Sequence, residues 1–423
     1  MIDAARDRLS TGARQLAGAR GLGTLGVLLG LLALWLALPP WTVRQPAVPI
    51  VAGVLAAGCA ALAWRKGDHR AGAWALAAAV LGTGAALWTQ GVEQDTLESI
   101  FTAGLIASTL RFATPLAFAA CGGIFSERSG VVNIGLEGMM LIGAFFAVWG
   151  SIEGGTWGVG LLAAMFFGGL LGLVHAFFSI HLRADQIVSG FAVNFLALGL
   201  TGYLFSSIYP DGIPADEVSR VPDGAHFLED DVPVIGGVLR DGFGLLGDIP
   251  LIGSFLGDVF GELSLLVWLM FAVVILSYIV LFKTPIGLRI RSVGEHPRAA
   301  DTVGISVYRV RYLAVVLSGV LAALGGAFLS IGFTGTFSEN MTSGRGFIAL
   351  AAVIFGKWRP GWAFVATLLF GFGFAISIPL QREADISANI ISTLPYVLTL
   401  VAVAGLIGRS IPPAAIGRPY VKQ

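Results

Sequence analysis

Charge is scarce in this chain. Asp, Glu, Lys and Arg make up 12% of its 423 residues, against 56% apolar. So few charges cannot cover a soluble domain, and the composition fits a polytopic membrane protein instead. Only two cysteines, Cys59 and Cys121, are present, both in apolar runs, which excludes a disulfide framework and a cysteine metal site. The histidines are scattered at His69, His175, His181, His226 and His296, with no His-Glu-x-x-His, so no metal is expected. Gly-x-Ser-x-Gly and paired aspartates at helical spacing are also missing, which argues against an intramembrane enzyme. The phosphate-cradling Gly-x-x-x-x-Gly-Lys-Ser/Thr is absent, so the chain does not hydrolyse ATP itself. Lys and Arg balance Asp and Glu at 26 each, and neither a cofactor nor a nucleic-acid partner is expected.

What is abundant is apolar sequence and glycine, 58 of them, and small residues let membrane helices approach closely. Twelve apolar runs follow one another: Leu22 to Leu38, Ala47 to Trp64, Ala71 to Gln90, Ile100 to Phe125, Val131 to Gly150, Trp157 to Ile180, Ile187 to Ile208, Leu263 to Phe282, Tyr312 to Phe333, a short Phe347 to Phe355, Trp362 to Leu380 and Asn389 to Gly408. The fold class is therefore all-α and polytopic, with about 12 hydrophobic segments including a broken or re-entrant half-helix. A signal peptide at the start competes with the first span, but no small-residue cleavage site precedes Pro39-Pro40. Gly21-x-Gly23-x-x-Gly26 matches a dinucleotide fingerprint as a string. No strand precedes it, so helix packing is the expected use.

If each run crosses once, both termini are cytoplasmic, and the loops placed inside hold 20 of the 26 Lys and Arg. Residues 283–311 carry Lys283, Arg289, Arg291, Arg298, Arg309 and Arg311 and are expected inside. Residues 209–262 carry eleven acidic and two basic residues and are expected outside, as a partner's dock or as a solvated spacer. Within the basic loop, Glu295 to Gly304 reads as a short helix, with Pro297 in its first turn and Gly304 as a left-handed stop.

Two stretches break the pattern. In the first, 125–138, the chain turns inside and carries Asn133 and Glu137 into the next span; read as helix, it puts Glu137 roughly 13 Å deep. A lone carboxylate there costs about 3 kcal/mol and needs a partner or a watery path. Arg111, at nearly that depth on the preceding span, is the expected partner of a buried Arg111 to Glu137 ion pair. The second stretch, 334–346, precedes only nine apolar residues, about 14 Å of helix or half a bilayer core. A half-helix capped by Thr342 or Ser343 and aimed at the protein centre is expected.

Three segments, SERSGVVNIGLEGMMLIGAFFA, GLRIRSVGEHPRAADTVGI and SENMTSGRGFIALAAVIFGKWRP, together resemble the membrane permease subunits of bacterial ABC importers. The resemblance is to the nucleoside (basic membrane lipoprotein type) uptake branch, more distantly to ribose and branched-chain amino acid permeases, and it runs from about Leu97 to Tyr420. It implies a bacterial inner-membrane subunit, embedded in lipid, that passes a small nucleoside-like solute. Its partners would be an ABC ATPase, a second permease and an extracytoplasmic substrate-binding lipoprotein. On that resemblance Glu295, Pro297, Arg298, Ala299, Ala300, Asp301 and Gly304 form a coupling helix seated on the ATPase, and Asn133, Glu137, Glu339 and Asn340 lie on or near the translocation path. Residues 97–423 would be the permease domain, and 1–96 an extension of about three spans outside the resemblance. The alternatives are a secondary transporter, for which Glu137 could be the ion site, and an ABC permease for another sugar or amino acid.

Overall fold

The structure, a computed structural model, describes residues 18–37, 47–89, 102–214, 216–222, 263–383 and 410–422, with Val259 and Thr393. Most of the acidic loop and the expected last span, Asn389 to Gly408, lie outside the described residues. Eight helices among the described residues are long and apolar enough to cross a membrane, and three shorter apolar helices accompany them. The chain is thus a multi-pass, helical membrane protein. It divides into two compact units: Met1–Leu105 with Ile376–Gly408, and Ile106–Ala375 with Arg409–Gln423.

In the first unit, α1 (Ala19–Ala37), α2 (Ala47–Arg65) and α3 (His69–Thr89) pack on one another through small residues. Gly23 faces Ala71, Gly26 faces Ala75 and Cys59, and Gly30 faces Ala78. The glycines of the fingerprint-like string therefore serve close helix contact, as membrane packing demands.

The second unit holds α4 (Ala103–Arg128), α5 (Leu136–Glu153), α6 (Trp157–Ala176), α7 (Gln186–Ile208), α8 (Leu265–Lys283), α9 (Pro285–Glu295), α10 (Pro297–Thr302), α11 (Val307–Ala327), α12 (Arg345–Phe355) and α13 (Pro360–Glu383, whose last residues belong to the first unit). Wide π turns extend α6 through Phe177–His181 and α11 through Phe328–Thr334. The spans built on α5 and α11 are 83% buried against 28% for α7, so these two form the centre and α7 offers Val188 and Phe195 outward. Gly168 and Gly172 of α6 meet Gly319 and Val315 of α11, and Gly326 lies on the backbone of Met140 in α5. The Gly168-x-x-x-Gly172 and Ser318-x-x-x-Ala322-x-x-x-Gly326 spacings thus join helices within this chain.

Helix starts follow their side chains. Thr156, Asp185, Ser264 and Thr284 each accept a backbone N–H in the first turn of α6, α7, α8 and α9. The basic loop is two helices rather than one: Thr284-Pro285 starts α9, and Pro297 opens the six-residue α10. Gly304 takes the expected left-handed conformation, φ +86°.

Candidate functional site

Residues 129–135 join α4 to α5 as irregular backbone. The helical rise counted from Arg128 therefore does not apply, because Gly130 turns at φ +92° and α5 begins only at Leu136. Buried irregular backbone needs partners from outside the segment. His175 of α6 donates from Nε2 to the Val132 carbonyl (3.0 Å), which leaves Nδ1 to accept from the Ser189 hydroxyl of α7 (3.0 Å). Gln186 accepts from the Val132 amide (2.7 Å), and Asn194 both donates to Ile134 (3.1 Å) and accepts from Gly138 (2.8 Å). Three side chains of two helices, with Ser189 behind His175, hold one short segment in place.

That segment delivers the expected path residues. Asn133 is fully buried and donates to Ser318 of α11 (2.9 Å), while its Oδ1 has no partner among the described residues. Glu137 is buried in the first turn of α5, and its carboxylate accepts from the amides of Gly344 (2.7 Å) and Gly346 at the start of α12. Two helix N-termini thus meet on one carboxylate, and each brings the positive end of its dipole. The expected caps Thr342 and Ser343 do not cap α12: its first residue follows Gly344 at φ +84° with no side-chain bond of its own, and Glu137 takes the role from another helix. Among the described residues the partners of Glu137 are these amides, and Arg111 lies elsewhere, lining a cavity of about 410 Å³ with Arg220, Ser264, Phe328 and Phe333. Depth alone could not choose between these solutions. Gly346 lies so close to the Glu137 backbone that an added Cβ would overlap it.

Glu339 and Asn340 are exposed, in the turn before α12. Asn340 and Ser343 hold positive φ of 54° and 44° there. Arg345 clamps this turn by donating to the carbonyls of Met341 (2.9 Å) and Thr342 (3.2 Å), and its guanidinium lies over the Phe374 ring. The structure thus brings Asn133 and Glu137 into the interior and leaves Glu339 and Asn340 at a surface. The Thr342 hydroxyl is buried without a partner among the described residues.

At the basic end, Glu295, His296, Arg298, Ala299, Thr302, Val303 and Gly304 are exposed, whereas Ala300 packs inside the chain with Val293, Val307 and Tyr420. Residues 410–422 lie along this loop. Ala415 donates to the Gly294 carbonyl (2.9 Å), Ala414 to the Glu295 carboxylate (3.1 Å) and Gly417 to the Gly130 carbonyl (3.1 Å). A groove of about 520 Å³ runs between α10 and this tail. Tyr420 is buried against Tyr308, and burial, then the neighbouring Asp301 carboxylate, raises its phenol above the ordinary tyrosine value, so it stays protonated at neutral pH. Arg311, 1% exposed, donates from Nε to Ser129 (3.2 Å) and from Nη1 to Arg418 (3.1 Å). Nearby, Arg128 donates to the Trp358 carbonyl and Glu127 accepts from the Trp358 indole, so Trp358 is a buried clasp.

Sequence reasoning missed His175, Gln186, Asn194, Arg311 and the tail as structural partners. A signal existed for the first four, since a polar side chain inside or beside an apolar run needs a partner. The tail carries no such mark.

Residues 105–403 match the family described as Branched-chain amino acid transport system / permease component. The chain is 44% identical over 330 residues to the guanosine ABC transporter permease protein NupQ of Bacillus subtilis (strain 168), covering 75% of this chain and 96% of that one. It is 39% identical over 332 residues to the nucleoside ABC transporter permease protein NupC of Lactococcus lactis subsp. cremoris (strain MG1363), 75% of this chain and 97% of that one. A putative glucose ABC transporter permease protein, TsgC13 of Haloferax volcanii, is 33% identical over 324 residues, 71% of this chain and 90% of the relative. No solved structure gives a significant match.

Proposed function

The chain belongs to the branched-chain amino acid transport system permease component family, and from that premise we propose that it forms the membrane path for a nucleoside-like solute in an ATP-driven importer. A member of this family is a transport component rather than an enzyme, and the ATP chemistry falls to a partner chain. The nucleoside reading draws on the guanosine and nucleoside permeases among its relatives. The observation that carries the path is the meeting of α5 and α12 on Glu137, because a half-helix pointed at a buried carboxylate is a membrane solution for handling polar cargo. Asn133 Oδ1 and Thr342 Oγ1, buried without partners among the described residues, are suited to hydrogen bonds with ribose hydroxyls or base edges. Glu339 and Asn340 sit at the exposed approach to them.

In this reading residues 97–423 are the permease domain and 1–96 a peripheral addition. Twelve crossings, the one through residues 334–355 made partly of irregular backbone and partly of α12, leave both termini in the cytoplasm of a bacterium. Residues 209–262 face the substrate-binding lipoprotein, and 283–311 face the ATPase through Glu295, Pro297, Arg298, Ala299 and Gly304, with Ala300 and Asp301 holding that helix from within. A second permease completes the path.

The test is uptake of labelled guanosine by cells that lack their own nucleoside uptake and carry the whole importer. Saturable, ATP-dependent uptake competed by other nucleosides and not by glucose, leucine or free ribose is expected. Competition by glucose, the solute in the name of the Haloferax relative, would replace the nucleoside reading with a hexose one. Uptake that persists without the ATPase would sink the importer reading.

A further inference from the structure

Deepening the transport reading above, and resting on it, we infer that the tail 410–422 and Arg311 are positioning elements that tie the coupling helix to the irregular segment bearing Asn133, making α10, the tail and residues 129–135 one mechanical unit. Each link is a specific contact. The tail is bonded to the end of α9 through Gly294 and Glu295, and it packs on α10 where Tyr420 covers Ala300. At its other side Gly417 donates to Gly130, the left-handed residue from which the irregular segment departs. Arg311 closes the loop. Its planar fork spans from Ser129, the residue before that turn, to Arg418 in the tail.

The chemistry of Arg311 argues against mere packing. It is among the largest fully buried side chains, yet its described hydrogen bonds go to two main-chain carbonyls, and Nη2 has no partner among the described residues. A buried guanidinium left partly unsatisfied is costly, and an apolar side chain would fill the space more cheaply. What an apolar residue could not do is grip two separate backbone segments in fixed geometry. Gly130 and Gly294 leave no room for another arrangement: a Cβ at Gly130 would lie 2.9 Å from Arg311 Nη2, and one at Gly294 would overlap the Arg128 carbonyl. Tyr420 grips the tail's other end, its ring edge-on to Tyr308 at 5.6 Å and its carbonyl accepting from the Tyr308 hydroxyl at 3.3 Å. A displacement of α10 by a partner is therefore passed through tail and Arg311 to the base of the α5 segment.

The experiment uses the assembled importer in proteoliposomes, isolated through a tag on the ATPase so that only assembled complex is scored. Guanosine-loaded binding protein is the stimulus, and ATPase stimulation over basal and guanosine uptake are both read per complex. Arg311→Lys keeps the charge but cannot span both carbonyls. It is expected to cut stimulation and uptake roughly tenfold while the ATPase still co-purifies. Tyr308→Phe removes the hydroxyl that donates to the Tyr420 carbonyl and leaves the ring contact, so it assembles. An intermediate loss is expected, and a larger one for Tyr420→Ala. Normal stimulation and uptake per complex in Arg311→Lys and Tyr308→Phe, whatever their melting temperatures, would overturn the inference, since a purely structural role moves stability and not coupling. Failure of the unaltered chain to capture the ATPase, read before any variant is scored, would overturn the transport reading itself.

Discussion

Replacing Glu137 by Gln tests the centre of the protein with one atom. The carboxylate accepts from Gly344 and Gly346, both at the start of α12, and is buried. A glutamine keeps one oxygen for one of these amides but turns an NH2 toward the other, so a donor faces a donor. The loss is one charge-assisted hydrogen bond and the burial of an unpaired N–H, about 2 to 3 kcal/mol. The missing charge also forgoes its attraction to two helix N-termini, about 0.5 kcal/mol each. Glu137→Ala abandons both amides and is expected to cost about twice as much as one lost bond. Glu137→Asp keeps the charge but is a methylene short of bridging the two amides, and falls between them. In purified permease the Gln variant should melt roughly 5 °C lower. If transport requires α12 to dock on Glu137, a bias of this size depletes the docked form by about 150- to 900-fold, and guanosine uptake falls accordingly. A Gln variant that melts within about 1 °C of the unaltered protein and transports normally would refute the reasoning.

At the basic end, Ala299→Arg, on the exposed side of α10, should uncouple uptake with the permease still folded, whereas Ala300→Arg should destabilise the chain itself by about 3 kcal/mol, because Ala300 packs against Val293, Val307 and Tyr420. Equal folding yields for the two would contradict the burial pattern. Single cysteines at Ser219 and Ser292, with Cys59 and Cys121 removed, should react with an impermeant thiol reagent from opposite sides of the membrane, and same-side labelling would break the proposed topology. In a double-mutant cycle, Arg111→Gln and Glu137→Gln should give losses that add within about 0.5 kcal/mol, since the carboxylate is held by α12 and Arg111 lines a separate cavity. A double variant no worse than either single would restore the direct pair.

Composition and apolar run length were enough to read a helical membrane protein, because the bilayer imposes its constraint on every span separately. The position of the basic loop, the left-handed Gly304 and the shortness of the Phe347 to Phe355 segment were legible for the same local reason. Glycine spacings announced close helix contacts, but only packing could assign Gly168 and Gly172 to α11 of the same chain. The irregular backbone at 129–135 was hidden within an apolar run that reads as helix. It exists because His175, Gln186 and Asn194, forty or more residues away in sequence, supply its hydrogen bonds. The partner of Glu137 was likewise out of reach, since a carboxylate is satisfied as well by an arginine at equal depth as by two amides some 200 residues on. Sequence marks which polar groups need partners inside a membrane; tertiary structure decides which partner each one gets, because that depends on distances between helices that no local pattern encodes.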